Sequence, residues 1–354
     1  MIIPSLGSGG AERVLSGLAN DWIARKSCTI EIVVLMKSDD FYEINKNIKI
    51  HRLNYNANNS SKIFSLIKLI VKLRALIQSV KPDICFSFIR QSNIITLLAS
   101  RGIKCKVVIS ERDSPETPIS SFYNYLRKKL YPLCDGLIVQ TQFYKEFVLN
   151  NIGNINQQVI PNPVRDIFTE NIIRENIIIC VGRLIPIKGH KYLIEAFSKC
   201  INKDGWELVI LGDGILRKQL LRQAEELGIQ NQVKLMGATR QVDQWLAKSS
   251  IFAFTSLSEG FPNALAEGMS ASLPCVSFNC ITGPQDLIEN EKNGFLVEVG
   301  DIDNFSKNLD ILIQSKELRQ KIGIRAKSVA NNLNFIKISE RYFSFLIEIL
   351  SSTK

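Results

Sequence analysis

Ile251-Phe-Ala-Phe-Thr255 runs directly into Ser256-Leu-Ser-Glu-Gly-Phe-Pro-Asn-Ala-Leu-Ala-Glu267, and the reading of this stretch decides the fold. The first five residues are uncharged and mostly apolar, which reads as a buried strand. Gly260 then makes a turn, and Pro262 takes the place a helix prefers for its first turn. Ala264 to Ala271 continues as a helix of small residues. A helix start of this kind presents unpaired backbone N–H groups and the positive end of a dipole, which suit a phosphate or a sugar oxygen. The two carboxylates have different stations: Glu259 sits in the loop, and Glu267 lies a turn inside the helix. Taken singly they read as an acidic cap and a solvated helix face.

The same alternation of strand and helix extends outward in both directions. Downstream, Cys275–Phe278 reads as a strand; upstream, so do Ile177–Val181, Glu207–Leu211 and Val233–Leu235. In the first half, strands are expected at Ile30–Met36, Ile48–Leu53, Asp83–Phe88, Val107–Ser110 and Leu137–Gln140, with a helix from about 61 to 80. Met1–Leu6 reads as the tail of a first strand. The fold class is therefore α/β, built of doubly wound parallel sheets. Between Gln157 and Glu175 the pattern loosens around Ile160-Pro-Asn-Pro163, which places a domain boundary there.

Bulk properties agree with two domains. The chain has 354 residues, 45% of them apolar, enough for a core in each half. It has no apolar run of membrane-spanning length and no cleavable signal pattern. Its eight cysteines form no C-x-x-C pair and mostly flank apolar runs, so they read as reduced core residues, and a cytoplasmic location is expected. Residues 1–170 carry a net charge of +8, against +2 for residues 171–354. A basic half points to an anionic lipid surface, a phosphorylated acceptor or nucleic acid. No recognition helix, zinc-finger spacing or aromatic RNA-binding strand is present, so no nucleic-acid partner is expected.

The spacing S-x-x-E-G-x-P-x-x-x-x-E across Ser256–Glu267 resembles the E-x7-E signature of the retaining glycosyltransferases of family 4. Val181-Gly-Arg-Leu-Ile-Pro-Ile-Lys188 is similar to that family's G-R-L-x-x-x-K pattern, and Leu211-Gly-Asp-Gly214 to its G-D-G turn. Gly7-Ser-Gly-Gly-Ala-Glu-Arg13 is similar to its G-G-A-E turn and does not fit a dinucleotide G-x-G-x-x-G. The likeness runs from about Gly7 to the last helix. Relatives usually carry several more residues before Met1, so a longer start is expected. Within the family the chain resembles bacterial N-acetylgalactosaminyltransferases that act on undecaprenyl-pyrophosphate-linked saccharides. Ser87-Phe-Ile89, Ile109-Ser-Glu111 and Tyr131-Pro-Leu-Cys-Asp135 carry that likeness.

The resemblance implies the GT-B architecture, in which two doubly wound Rossmann-like domains face a cleft and a C-terminal helix crosses back to the first. Residues 1–163, with a final helix at about 335–350, would form the acceptor-binding domain, and residues 164–334 the nucleotide-sugar domain. It implies transfer of a hexose or N-acetylhexosamine, N-acetylgalactosamine for preference, from a UDP-sugar to a lipid-linked saccharide in surface polysaccharide, O-antigen, capsule or glycan assembly. The catalytic set would be Glu259, Arg183 and Lys188. Two cations near one strand end neutralise a diphosphate and stabilise the charge that grows as UDP leaves. The donor-binding set would be Gly9, Gly10, Arg183, Lys188, Glu259, Gly260, Phe261, Pro262, Asn263, Ala264, Glu267 and Gly283. Glu267 would accept from the ribose hydroxyls, and Glu259 would face the donor sugar. Around Gly237–Arg240 the family reads the base through backbone groups.

One position departs from the pattern. Where many relatives have histidine after the strand ending at Ser110, this chain has Arg112, a candidate donor or acceptor contact that binds phosphate oxygens but cannot serve as a base. Asp301-Ile-Asp303 is similar to the D-x-D metal motif of another glycosyltransferase fold, but it opens a helix pattern and reads as an N-cap. No metal and no cofactor are expected. On the 61–80 helix, Lys62, Lys68 and Lys72 share a sector, and with Arg127, Lys128 and Lys129 they make a candidate surface for an anionic inner-membrane face or a lipid-linked pyrophosphate. Two rival readings use the same residues: a UDP-sugar epimerase of the same architecture, and a catalytically silent nucleotide-sugar-binding partner.

Overall fold

The computed structural model describes residues 1–354 except 8, 56–61, 116–119, 171 and 353–354, together with the side chains of Lys62 and Ile63. The chain divides into two compact units, Met1–Asn162 with Ile338–Lys354, and Pro163–Lys337. Assigned by unit, the sequence carries a net charge of +9 on the first and +1 on the second.

The first unit takes up β1 (Ile2–Ile3), α1 (Gly10–Ala24), β2 (Glu31–Met36), β3 (Lys49–Tyr55), α2 (Lys62–Val80), β4 (Ile84–Phe88) and α3 (Arg90–Ser100). It continues with β5 (Lys106–Ser110), α4 (Ser121–Leu130), β6 (Gly136–Val139), α5 (Gln142–Asn151) and β7 (Gln157–Val159). Among the described residues these strands form one parallel sheet in the order β3-β2-β1-β4-β5-β6-β7. The short strand β7 lies in the stretch expected to be a loose connection. The inner strands are buried along most of their length, Ile32, Val34, Val108, Ile109, Leu137 and Ile138 among the buried residues, as a sheet covered on both faces requires.

The second unit has β8 (Ile177–Val181), α6 (His190–Lys199), β9 (Glu207–Leu211), α7 (Arg217–Glu226), β10 (Val233–Gly237), α8 (Val242–Lys248) and β11 (Ile251–Phe254). There follow α9 (Asn263–Ser270), β12 (Cys275–Phe278), α10 (Pro284–Leu287), β13 (Phe295–Val297), α11 (Ile302–Gln314) and α12 (Lys316–Asn331). Its sheet is also parallel, in the order β10-β9-β8-β11-β12-β13. In both sheets the strand order reverses beside the first strand, at β1/β4 in one unit and β8/β11 in the other. In open α/β sheets ligands bind beyond the carboxyl ends of the strands at such a reversal. This is the GT-B fold class, with each unit Rossmann-like.

The last helix, α13 (Phe335–Ser351), belongs to the first unit from Ile338 onward. Trp22 Nε1 donates to Ser339 Oγ at 2.9 Å, and Ser339 Oγ donates to Asp21 at 2.5 Å. Gly136 sits against Phe345 and Ile349, where a β-carbon would come within 3.0–3.1 Å of their side chains.

Candidate active site

The second unit assembles most of the expected site at the sheet reversal. Gly182 and Arg183 leave the end of β8, and the chain makes a short 3₁₀ turn at Pro186–Lys188 before α6. Two hydrogen bonds tie that turn to the segment leaving β11: Leu257 N donates to the Ile187 carbonyl at 2.8 Å, and Thr255 Oγ1 to the Lys188 carbonyl at 3.2 Å. Gly189 closes the turn at φ +64°, where a β-carbon would run into the Thr255 carbonyl. The sequence therefore needs glycine at that corner.

This bracing brings Lys188 to Glu259, Nζ to Oε1 at 2.5 Å, with the lysine side chain 22% exposed and the carboxylate 12%. Arg183 is exposed, and among the described residues its guanidinium makes no ion pair. His190, not expected to take part, fixes the backbone beside it. Its Nε2 lies 3.2 Å from the Arg183 carbonyl and its Nδ1 3.6 Å from Cys180 Sγ. A carbonyl only accepts, so Nε2 carries the proton and donates. Burial pushes the imidazole pKa below its ordinary value, partly offset by that hydrogen bond, so the ring is neutral. Burial also pushes the Cys180 thiol up to about 12, which makes it an inert wall.

Glu259 is held from a second side, since Thr282 Oγ1 donates to its backbone carbonyl. The next residue, Gly283, has φ +99°, and a β-carbon there would collide with the Pro262 ring. Pro262 thus lies against the Gly283 turn, with Gly260 and Phe261 before it and Asn263 and Ala264 after it opening α9. Pro262 is the N-cap residue, one place before the first turn where the sequence put it, and α9 runs Asn263–Ser270. Gly268 packs its bare Cα against the Phe252 ring, and Gly323 on α12 does the same against the carbonyl of Ser272, in the turn that follows α9. On the neighbouring strand end, Leu184 N donates to the Asp213 carbonyl at 2.9 Å, which seats the G-D-G turn under Arg183.

Glu267 lies on α9, nearly buried, and faces a different cation from Glu259. Arg165 Nη2 is 3.5 Å from Glu267 Oε1 and 2.9 Å from Asp243 Oδ1. Neither Arg165 nor Asp243 is marked by any local sequence signal; they meet Glu267 from 102 and 24 residues away.

The remaining candidates lie in the first unit. Gly9 is the N-cap residue of α1 without a side-chain cap, and Gly10 opens the helix. Arg112 is drawn inward: Nη1 donates to Asn162 Oδ1 at 2.5 Å and Nη2 to the Tyr342 hydroxyl at 2.9 Å, over the Phe88 ring at 4.9 Å. Burial lowers its pKa, with Tyr342 opposing. It therefore anchors α13 and the end of the first unit, a role the sequence did not show. Next to it Glu111, fully buried, accepts from the Tyr131 hydroxyl and lies 3.6 Å from Arg90.

The basic surface needs one correction. Arg127 is 2% exposed, with its guanidinium over the Phe147 ring at 5.2 Å and donating to Asn124 Oδ1 at 3.2 Å. It is a core residue, packed on Phe147 of α5. Lys68, Lys72, Lys128 and Lys129 are exposed; the side chain of Lys62 lies outside the described residues. Asp301 caps α11, accepting from Asn304 N at 3.1 Å, and Asp303 pairs with Lys199 at 2.7 Å.

Comparison with known proteins adds to this geometry. Residues 8–166 match the model of Glycosyltransferase Family 4, and residues 165–329 that of Glycosyl transferases group 1. A Campylobacter jejuni GalNAc-alpha-(1->4)-GalNAc-alpha-(1->3)-diNAcBac-PP-undecaprenol alpha-1,4-N-acetyl-D-galactosaminyltransferase is 27% identical across 98% of each chain. A second protein of that organism, N-acetylgalactosamine-N,N'-diacetylbacillosaminyl-diphospho-undecaprenol 4-alpha-N-acetylgalactosaminyltransferase, is 29% identical across 98% of each. The crystal structure of Anabaena Alr3699/HepE in complex with UDP superposes with a TM-score of 0.84 at 21% identity, covering 98% of both chains. The chain belongs to the glycosyltransferases, joining a family 4 first domain to a group 1 second domain.

Proposed function

We propose that the protein is a retaining glycosyltransferase that moves N-acetylgalactosamine from a UDP-sugar to a lipid-linked saccharide during assembly of a bacterial surface polysaccharide or glycan. The observation that carries this reading is the group of Arg183, Lys188 and Glu259 at the reversal of the second sheet, braced by the Gly189 and Gly283 turns. In it, Arg183 and Lys188 hold the donor diphosphate and neutralise the charge that develops as UDP departs. Glu259 faces the sugar, and Glu267 accepts from the ribose hydroxyls. The acceptor hydroxyl attacks from the face that UDP leaves and passes its proton to the departing phosphate oxygen, so the sugar keeps its configuration and no strong enzyme base is needed. Arg112, committed to Asn162 and Tyr342, is consistent with that route. The reaction proceeds without a divalent cation or cofactor, the two cations doing the electrostatic work of a metal.

The names of the two Campylobacter relatives support a lipid-linked acceptor and N-acetylgalactosamine, and the UDP complex of the Anabaena protein supports the donor. The first unit, with its net charge of +9, takes the acceptor and rests on the cytoplasmic face of the cell membrane as a peripheral protein. Along α2, the exposed Lys68 and Lys72 lie beside Phe64, Ile67 and Val71, which are 69%, 52% and 59% exposed. Exposed cations beside exposed apolar side chains suit an anionic membrane interface. No helix among the described residues is long and apolar enough to cross a membrane. Proton NMR of the product made from UDP-N-acetylgalactosamine and a lipid-linked acceptor tests the reading. An α-linkage supports it, and a β-linkage overturns the retaining assignment.

A further inference from the structure

We infer that Arg165 is a positioning residue for the nucleoside half of the donor, because one guanidinium ties the carboxylate proposed to hold the ribose to the helix that follows the proposed base-reading loop. The inference rests on the reading of Glu267 given above. Arg165 comes two residues into the second unit, and α9 fixes it twice. Its backbone carbonyl accepts from Ser270 Oγ at 2.6 Å, and that hydroxyl oxygen in turn accepts from Ile167 N at 3.3 Å, which holds the chain on both sides of Asp166 to α9. Its Nη2 then reaches Glu267 Oε1 at 3.5 Å and Asp243 Oδ1 at 2.9 Å.

Asp243 stands in the first turn of α8, directly after the segment 237–241 that leaves β10. The two carboxylates come from different helices, and the cation between them sets their separation. Without it, two like charges face each other across that gap, and each turns away from the other. Glu267 then no longer presents a fixed carboxylate to a diol. Both contacts run through one nitrogen, Nη2, so the ammonium of Arg165→Lys, on a more flexible stem, replaces them only in part. The diphosphate cations Arg183 and Lys188 belong to other segments, so loss of Arg165 leaves them in place.

The test compares UDP with 2′,3′-dideoxy-UDP, which keeps the base and diphosphate but lacks the ribose hydroxyls. Calorimetry would be run on the parent, Arg165→Gln, Arg165→Lys and Asp243→Asn, with Arg183→Ala as the diphosphate comparator. We expect Arg165→Gln to weaken UDP by about tenfold, in line with loss of a charge-assisted contact, and to leave dideoxy-UDP within about twofold of the parent. Arg165→Lys and Asp243→Asn should fall between. Donor KM should rise for Arg165→Gln with kcat little changed, whereas Arg183→Ala should weaken both ligands alike. Equal losses for the two ligands in Arg165→Gln would make Arg165 a general structural or phosphate-binding residue and overturn the inference, as would unchanged UDP affinity in a folded variant. A parent that binds no UDP would overturn the functional reading itself, and the inference with it.

Discussion

The Lys188–Glu259 pair should respond to substitution with opposite signs in the two partners. Nζ and Oε1 are 2.5 Å apart, at 22% and 12% side-chain exposure. Fully exposed pairs contribute about 0–1 kcal/mol, and breaking a buried pair costs about 3–5 kcal/mol. A pair this far inside falls between, at about 1.5–3 kcal/mol, the range of hydrogen bonds to charged groups. Glu259→Gln keeps the shape and removes the charge, so it should lower the melting temperature of the second unit, about 175 residues long, by about 3–12 °C. In the parent, a diphosphate must share Lys188 with Glu259. Glu259→Gln lifts that competition, so UDP should bind as tightly as to the parent or more so, while turnover drops by about a hundredfold or more for want of the group facing the sugar. Lys188→Ala should instead weaken UDP by about tenfold or more. Calorimetry with UDP and differential scanning fluorimetry measure both quantities. If the two variants weaken UDP equally, the pair is only a structural brace and Lys188 does not hold the diphosphate.

Three further outcomes are expected. Activity should survive exhaustive chelation, since the cations at the site are protein side chains; loss of turnover with rescue by manganese would contradict this. The triple variant Lys62→Gln, Lys68→Gln, Lys72→Gln should bind anionic vesicles more weakly by up to about 3 kcal/mol at low salt, at about 1 kcal/mol per cation, and turn over long-chain lipid acceptor more slowly at unchanged UDP affinity. Co-sedimentation equal to the parent would show an ordinary solvated helix face. For His190, the folded pKa lies below the ordinary 6.5, so the unfolded chain takes up the proton first. Its contribution is full above about pH 6.5 and is lost as pH falls from there through the depressed folded value; His190→Asn should flatten that acid-side slope in urea melts, and an unchanged slope would refute the assignment.

The elements that carry strong periodicity and their own end signals were legible before the structure. β8, β9, β11 and β12 are mostly apolar runs followed by glycine, by Thr and Ser, or by Asn, and the motif residues sit just beyond them. Arg183, Lys188, Glu259 and Gly283 therefore converge from sequence-local features, namely strand ends and glycine turns. β7 and β13 were missed because three residues at the edge of a sheet are too short to show a period. The inward turn of Arg127 was missed because charge alone does not give the phase of a short helix, and Phe147, which receives it, lies on another element. Arg165, Asp243 and His190 were missed for a different reason: each acts through a contact made only in the fold, with no spacing that marks it. Arg112 was singled out for the residue it replaces, yet its partners, Asn162 and Tyr342, are 50 and 230 positions away.

The purified protein, incubated with UDP-N-acetylgalactosamine and a panel of undecaprenyl-pyrophosphate-linked saccharides, gives the most direct test of sugar transfer to a lipid-linked acceptor. UDP release and the mass of the lipid-linked product would be followed together. The prediction is that UDP appears only when an acceptor is added, in step with an acceptor one N-acetylhexosamine heavier, and that both form about a hundredfold or more slowly with Glu259→Gln. Conversion of the UDP-sugar into its epimer without acceptor, or UDP binding with no turnover across UDP-sugars and acceptors, would contradict it.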